Sequence, residues 1–214
     1  MEPDFWRARW AKQEIGFHQA MPTPGLSRHA QELGPAPKRV LVPLAGKTKD
    51  LRYLASLGHH PIGVELVEDA VKAFFAEERL SPMVTEGPGY VRYDAGGITF
   101  YAADMFKLSQ EIVGAVDAIF DRAALVALPP ELRRKYVQHL PSFLGPGGRI
   151  LTVLFEHDGG NGPPFSVTVE DLRGYYPQAR GFTVLESADI LEESPRFKER
   201  GVTRLLEHTV LVLP

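Results

Sequence analysis

The sequence predicts an α/β fold: a doubly wound, mostly parallel sheet of seven strands with an antiparallel hairpin at one edge. Two observations predict it. Short, nearly continuous apolar runs alternate with amphipathic stretches, the pattern of strands buried on both faces by crossover helices. The last two strand-like runs follow one another without a clear helix between them, which suits an antiparallel pair. Length agrees with a single domain over residues 1–214.

The elements follow in order. Pro3–Lys12 reads as a short helix with Phe5, Trp6 and Trp10, and Gly25–Leu33 as a second. Arg39–Leu44 is an apolar run of strand length between Pro37 and Gly46. Asp50–Leu57 is helical and stops at Gly58, where a glycine terminates helices well. Pro61–Leu66 is the second strand, and Glu68–Arg79 is a helix with Ala70, Val71, Phe74 and Phe75 on one face. Strands are expected at Ile98–Ala102, Asp117–Phe120 and Gly148–Phe155, with a helix at Pro130–Phe143 halted by Gly145-Pro146-Gly147. Val169–Tyr176 is a helix, and Thr183–Ser187 and Leu205–Leu213 close the sheet. The Pro/Gly/polar stretches Ala20–Gly25, Gly34–Pro37, Gly87–Gly97 and His157–Pro164 read as loops.

Composition narrows the function. The net charge of -3 and the lack of a basic stripe argue against a nucleic-acid partner. With no cysteine, disulfides, thiolate metal sites and a cysteine nucleophile are excluded. No apolar run approaches the roughly 18 residues of a membrane span, and Met1–Trp10 lacks a signal core, so a cytoplasmic protein is expected. Nothing hints at a large apolar face, so a monomer is expected. His59-His60 and His157-Asp158 have the wrong spacing for a metal, and none is expected.

In doubly wound sheets a ligand sits beyond the carboxyl ends of the strands. Gly46-Lys47-Thr48 follows the first strand, but a phosphate loop needs a glycine where Leu41 stands, and no G-x-G-x-x-G is present. Gly46 still permits one close backbone approach. Glu65 ends the second strand, about 20 residues on, where a carboxylate can grip a ribose diol or cap the following helix. Asp104 follows the third strand and suits either an adenine amino group or a helix N-cap. Asp121-Arg122 ends the fourth; Arg122 either faces the crevice, to hold an electron-rich substrate, or pairs with Asp121. Trp6, Trp10 and Phe17 form either core or an electron-rich lid over a cationic ligand. Gly162-Pro163-Pro164-Phe165 is a candidate second lid, and His18 a candidate proton relay.

These residues carry a resemblance. Phe5-Trp6 with Trp10, Ile15-Gly16-Phe17-His18, Val42-Pro43-Leu44-Ala45-Gly46-Lys47 and Gly63-Val64-Glu65-Leu66 resemble the thiopurine S-methyltransferase family in its bacterial form. Asp121-Arg122-Ala123-Ala124-Leu125, Gly162-Pro163-Pro164-Phe165 and Gly201-Val202-Thr203-Arg204 extend the match over nearly the whole chain. The resemblance implies a Rossmann-like methyltransferase fold, S-adenosylmethionine as donor and a small aromatic or heterocyclic thiol as acceptor. Selenium or tellurium oxyanions, sulfide or halide are the alternative acceptors. By motif, Trp10, Leu44, Glu65 and Arg122 fall at donor-contact positions, residues 1–35 form a helical lid segment, and Phe17 is shared by donor and acceptor. Trp6, Gly46 and Asp104 complete the expected donor site. Arg122, as the catalytic candidate, would favour the thiolate, with Arg196 a further acceptor-side candidate. Ala45 departs from the family, which usually carries cysteine there.

Overall fold

The computed structural model describes residues 3–16, 18–160 and 162–214. Its centre is one nine-stranded sheet. In chain order the strands are β1 (Arg39–Val42), β2 (His60–Glu65), β3 (Met83–Gly87), β4 (Tyr90–Ala95), β5 (Ile98–Ala103), β6 (Val116–Arg122), β7 (Leu144–His157), β8 (Gly181–Asp189) and β9 (Leu205–Leu213). Their spatial order is β3-β4-β5-β2-β1-β6-β7-β9-β8. The pairs β5·β2, β2·β1, β1·β6 and β6·β7 are parallel, and the pairs involving β4 or β9 are antiparallel. Seven strands therefore share one direction, and β4 and β9 run against it.

The expected antiparallel pair at the carboxyl edge is present as β8 and β9, but the two strands do not follow one another directly: a short helix, Pro195–Glu199, stands in the connection where none was expected, because its charge-rich sequence carries no apolar face. The expected count of seven strands is corrected to nine, because β3 and β4 form a second antiparallel edge. Gly87–Gly97 had read as a loop. The glycines there bracket β4, and of β4's residues only Tyr93 is buried, so no apolar run marks it. All of Met83–Glu86 in β3 is exposed.

Helices cover both faces. On one side lie α2 (Pro24–His29), α3 (Asp50–Ser56) and α4 (Glu68–Glu77), whose Leu26, Leu51, Leu54, Val71 and Phe74 join Val40, Val42 and Phe120 in one core. On the other lie α5 (Gln110–Val113), α6 (Pro130–His139) and α7 (Val169–Tyr175), packed through Val113, Tyr136 and Leu172 on Leu41, Ile119 and Ile150. Phe74 and Phe75 are almost fully buried, each worth about 1.5–3 kcal/mol of transfer free energy. α7 starts in a capping box, Thr168 with Asp171. α6 ends at His139 and continues as a 3-10 turn, Leu140–Phe143, around Pro141. Two further helices flank the sheet's carboxyl rim: α1 (Pro3–Ala11) and the short α8 (Pro195–Glu199).

Candidate functional site

The strand order reverses between β1 and β6, since β2 lies on one side of β1 and β6 on the other. Open α/β sheets bind ligands at such a point. A cavity of about 1110 Å³ opens there. Its walls come from the carboxyl ends of four parallel strands: Leu44 after β1, Glu65 and Leu66 at β2, Asp104 after β5, and Arg122 and Ala123 at β6. Leu44 and Ala123 adopt φ of 48° and 59°, which costs a non-glycine residue free energy and is found where a site over-determines the backbone. These left-handed residues turn the chain immediately after neighbouring strands and bring the backbone to the cavity wall.

Glu65 is buried. Its Oε2 accepts the Gly46 N–H at 2.9 Å and its Oε1 accepts the Val67 N–H at 2.8 Å. Burial pushes its pKa up, and the N–H groups of Val67, Gly46 and, more weakly, Leu66 oppose the shift. The two readings of Glu65 thus coexist: it receives the N–H of Val67, the residue preceding α4, and it lines the cavity. With about four lone-pair sites, the carboxylate keeps acceptor capacity for a ligand hydroxyl. Gly46, at φ 57°, does not line the cavity; it acts by donating to Glu65. Asp104 likewise combines both readings, accepting the Phe106 N–H at 3.0 Å as an N-cap while lining the wall.

Trp6 and Trp10 line the cavity from α1. Trp10 packs with Val67 and Ala70 at the start of α4, and Trp6 and Ile15 lean on that cluster. Phe17 lies outside the described residues. Its neighbour His18 lines the cavity, and burial, followed by Lys47, lowers its pKa. The chain is pinned again at Thr23, whose N–H and Oγ1 donate to the buried Asp50 carboxylate at 2.7 and 2.9 Å. Lys47 and Thr48, the tail of the apparent phosphate loop, are engaged elsewhere: Lys47 Nζ lies 2.6 Å from Glu77, and Thr48 donates to Asp50.

Arg122 faces the cavity, and no ion pair joins it to Asp121 among the described residues. Successive strand residues point to opposite faces. Asp121 instead accepts from Tyr136 Oη at 2.9 Å and the Leu125 N–H at 3.2 Å, and burial raises its pKa to about 6. Burial lowers the Arg122 pKa, while Asp50 and Glu207 act in the other direction. Arg196, on α8, reaches the cavity rim and lies against Gly16, where a Cβ would overlap its guanidinium. Pro163 and Pro164 line the cavity, but Phe165 does not; its N–H donates to Val126 and its ring sits under Arg133.

Sequence reasoning missed Glu207, Phe197, Phe155 and Ile190, all on the cavity wall. Glu207 was hidden because β9 runs backwards, so its first residues, not its last, reach the carboxyl rim. Phe197 sits in a charge-rich stretch that reads as solvated, yet its ring packs edge-on against Phe155 and His157 at 6.0 and 5.5 Å. A lone aromatic among those charges was the available signal.

Fold and crevice together define the class: an open, doubly wound α/β protein with a ligand crevice where its strand order reverses. A solved structure of Burkholderia thailandensis 1,6-didemethyltoxoflavin-N1-methyltransferase with bound S-adenosylhomocysteine overlays with a TM-score of 0.63 at 21% identity, covering 99% of this chain and 86% of that one. Haemonchus contortus phosphoethanolamine N-methyltransferase 2 with S-adenosyl-L-methionine gives 0.61 at 13% identity, covering 88% and 51%. At such identities the likeness is one of fold. Sequence carries the rest: the profile of thiopurine S-methyltransferase (TPMT) matches residues 1–213. Proteins named thiopurine S-methyltransferase are 42% identical in Nitrosospira multiformis, over 100% of this chain and 98% of that protein, and 45% in Azotobacter vinelandii, over 97% and 96%. The chain belongs to the thiopurine S-methyltransferase family.

Proposed function

We propose that the protein transfers a methyl group from S-adenosylmethionine to the sulfur of small aromatic or heterocyclic thiols. The observation that carries this is a single cavity with two unlike ends. One end has Glu65, Leu44, Asp104 and the tryptophans; the other has the aromatic and proline walls of β7, α8 and the 163–164 turn. In strand order Arg122 on β6 falls between them. The volume exceeds the roughly 300–1,000 Å³ usual for one small ligand, which leaves room for donor and acceptor together.

The first end fits an adenosyl group. Glu65 is fixed by two backbone N–H groups and retains acceptor capacity for a diol. Asp104 keeps one carboxylate oxygen for an amino group while the other caps the 3-10 turn at Met105–Lys107. Trp6 and Trp10 offer π faces suited to positive charge. S-adenosylmethionine, when bound, supplies a methyl group on a positively charged sulfur.

The chain's own residues position and desolvate. Trp6, Trp10 and Ile15 cover the donor end and exclude water from it. Arg122 places a guanidinium at the cavity, where it favours an acceptor sulfur in its thiolate form. No acid–base pair is required when a heteroaromatic thiol ionises near neutral pH. Alignment of two bound reactants is the main contribution, up to about 7–11 kcal/mol in favourable cases.

The test is binding and turnover. Protein incubated with labelled S-adenosylmethionine and a thiopurine panel is expected to bind the donor and methylate sulfur. Selenite, tellurite, sulfide and iodide serve as competing acceptors. Donor binding without transfer to any thiol would overturn the acceptor class, and absence of both would overturn the whole reading.

A further inference from the structure

We propose that Glu207 reads the acceptor: its carboxylate accepts a hydrogen bond from a ring N–H or amino group, so that heteroaromatic thiols bearing such a donor are selected over plain aryl thiols and over aryl thiols that carry a carboxylate. This inference rests on the methyl-transfer reading above and names the acceptor class within it.

Glu207 stands opposite Phe155 of β7 and Ala188 of β8, near the start of the reversed strand β9. It is partly buried and lines the cavity at the end walled by Phe155, Pro164, Ile190 and Phe197. Of the other acids on this wall, Glu65 is committed to two N–H groups and Asp104 caps the turn after β5, while Glu193 and Glu199, next to and on α8, are exposed to solvent; of the described acids at this end, Glu207 is the one that is partly buried. Among the described residues no backbone or side-chain group hydrogen-bonds the Glu207 carboxylate, and the residue lines the cavity. Burial pushes its pKa up, and the field of Arg122 opposes that shift and favours the ionised form.

The chemistry of a ligand for this place follows. An ionised carboxylate only accepts hydrogen bonds. In a partly desolvated wall, an acceptor left unmatched is costly and a matched one discriminates strongly. The surrounding rings and prolines suit a flat ring rather than a sugar or chain. The nearby guanidinium disfavours a cationic ligand, and Glu207 itself repels an anionic substituent. A neutral heterocycle with an N–H donor and an ionisable thiol meets all of these conditions. The thiolate then has Arg122 as its electrostatic partner and the N–H has Glu207.

The test compares wild type with Glu207→Leu and Glu207→Gln on three acceptors: 6-mercaptopurine, thiophenol and 2-mercaptobenzoic acid. Acceptor binding to protein loaded with S-adenosylhomocysteine is measured by calorimetry, and kcat/KM in parallel. In Glu207→Leu the preference for 6-mercaptopurine over thiophenol is expected to fall about tenfold or more, the scale of one hydrogen bond to a charged group. In Glu207→Gln, which keeps the shape and removes the charge, 2-mercaptobenzoic acid is expected to gain about tenfold in affinity relative to thiophenol. Affinity for S-adenosylhomocysteine stays the same in both. Unchanged acceptor ratios, or a parallel fall for all three acceptors, would overturn the role of Glu207 while normal S-adenosylhomocysteine binding leaves the methyl-transfer reading standing. Wild type that binds no S-adenosylhomocysteine would overturn both.

Discussion

Replacing Glu65 by Gln separates the architectural role of this carboxylate from its role in donor binding. Both carboxylate oxygens receive backbone N–H groups, Gly46 at 2.9 Å and Val67 at 2.8 Å. An amide offers one oxygen and one NH2, so one of those N–H groups loses its acceptor and faces a donor. A buried N–H left unmatched costs about 1–3 kcal/mol. Neutralising a carboxylate whose burial raises its pKa returns part of that. A net loss of about 1–2 kcal/mol is expected, which lowers Tm by roughly 2–8 °C in a chain of this size. The donor loses hydrogen bonds to a charged group, about 1–3 kcal/mol, or roughly 5–150-fold in Kd. Thermal unfolding of the ligand-free proteins reads the first quantity, and calorimetry with S-adenosylhomocysteine near neutral pH reads the second. Lower Tm with unchanged donor affinity would show that Glu65 only joins the Gly46 turn to α4, and the donor assignment would fall with it.

Three further outcomes are expected. Asp121 is fully buried and its pKa is raised from 3.8 to about 6, so the folded state binds its proton more tightly than the unfolded chain. That stabilisation is complete below about pH 4 and is lost as pH rises through about 6; it amounts to something on the order of 3 kcal/mol. Urea unfolding across that window should show this downward component in wild type relative to Asp121→Asn, and identical pH slopes would refute it. The chain's 2 tryptophans, Trp6 and Trp10, both line the cavity. Titrating S-adenosylhomocysteine should therefore change intrinsic fluorescence with the Kd found by calorimetry, and calorimetric binding with no spectral change would place the donor elsewhere. Arg122→Ala should slow turnover about tenfold or more for weakly acidic thiols and less for strongly acidic ones, because only the former depend on the guanidinium to ionise. Equal slowing across thiol acidity would argue against thiolate stabilisation by Arg122.

Where burial is two-sided, the sequence was readable. Val40, Leu41 and Val42 of β1 and Ile62 and Val64 of β2 are buried on both faces, and a strand of that kind must be apolar throughout. β3 and β4 were illegible for the same reason reversed: an exposed edge pair with one buried residue, Tyr93, leaves no hydrophobic run. At the cavity, Glu65, Asp104 and Arg122 were legible because each ends a parallel strand and so had to lie at the carboxyl rim. Leu44 was carried by resemblance alone; its left-handed backbone is invisible in a leucine. Gly46 was legible as a turn glycine, but its action on Glu65 required the fold.

The two ends of the cavity differ in how firmly they are held, and this bears on what each can specify. On the proposed reading, the donor end is set by β1, β2, β5 and β6, four strands each paired on both sides in the middle of the sheet. Their side chains inherit that rigidity, as Glu65 does through its two N–H partners. The acceptor end is assembled from the turn at Pro163 and Pro164, the five-residue helix α8 and the beginning of β9. A helix that short has little stability of its own and depends on Phe197 packing against Phe155 and His157. Arg196 of the same helix lies against Gly16, in the segment that follows the tryptophans. Loops of this kind tolerate change far better than central strands. Acceptor preference can therefore shift through α8 and the start of β9 while the donor end stays fixed, and the placement of Glu207 on the sheet, rather than on the loops, gives that otherwise adaptable end one rigid polar contact.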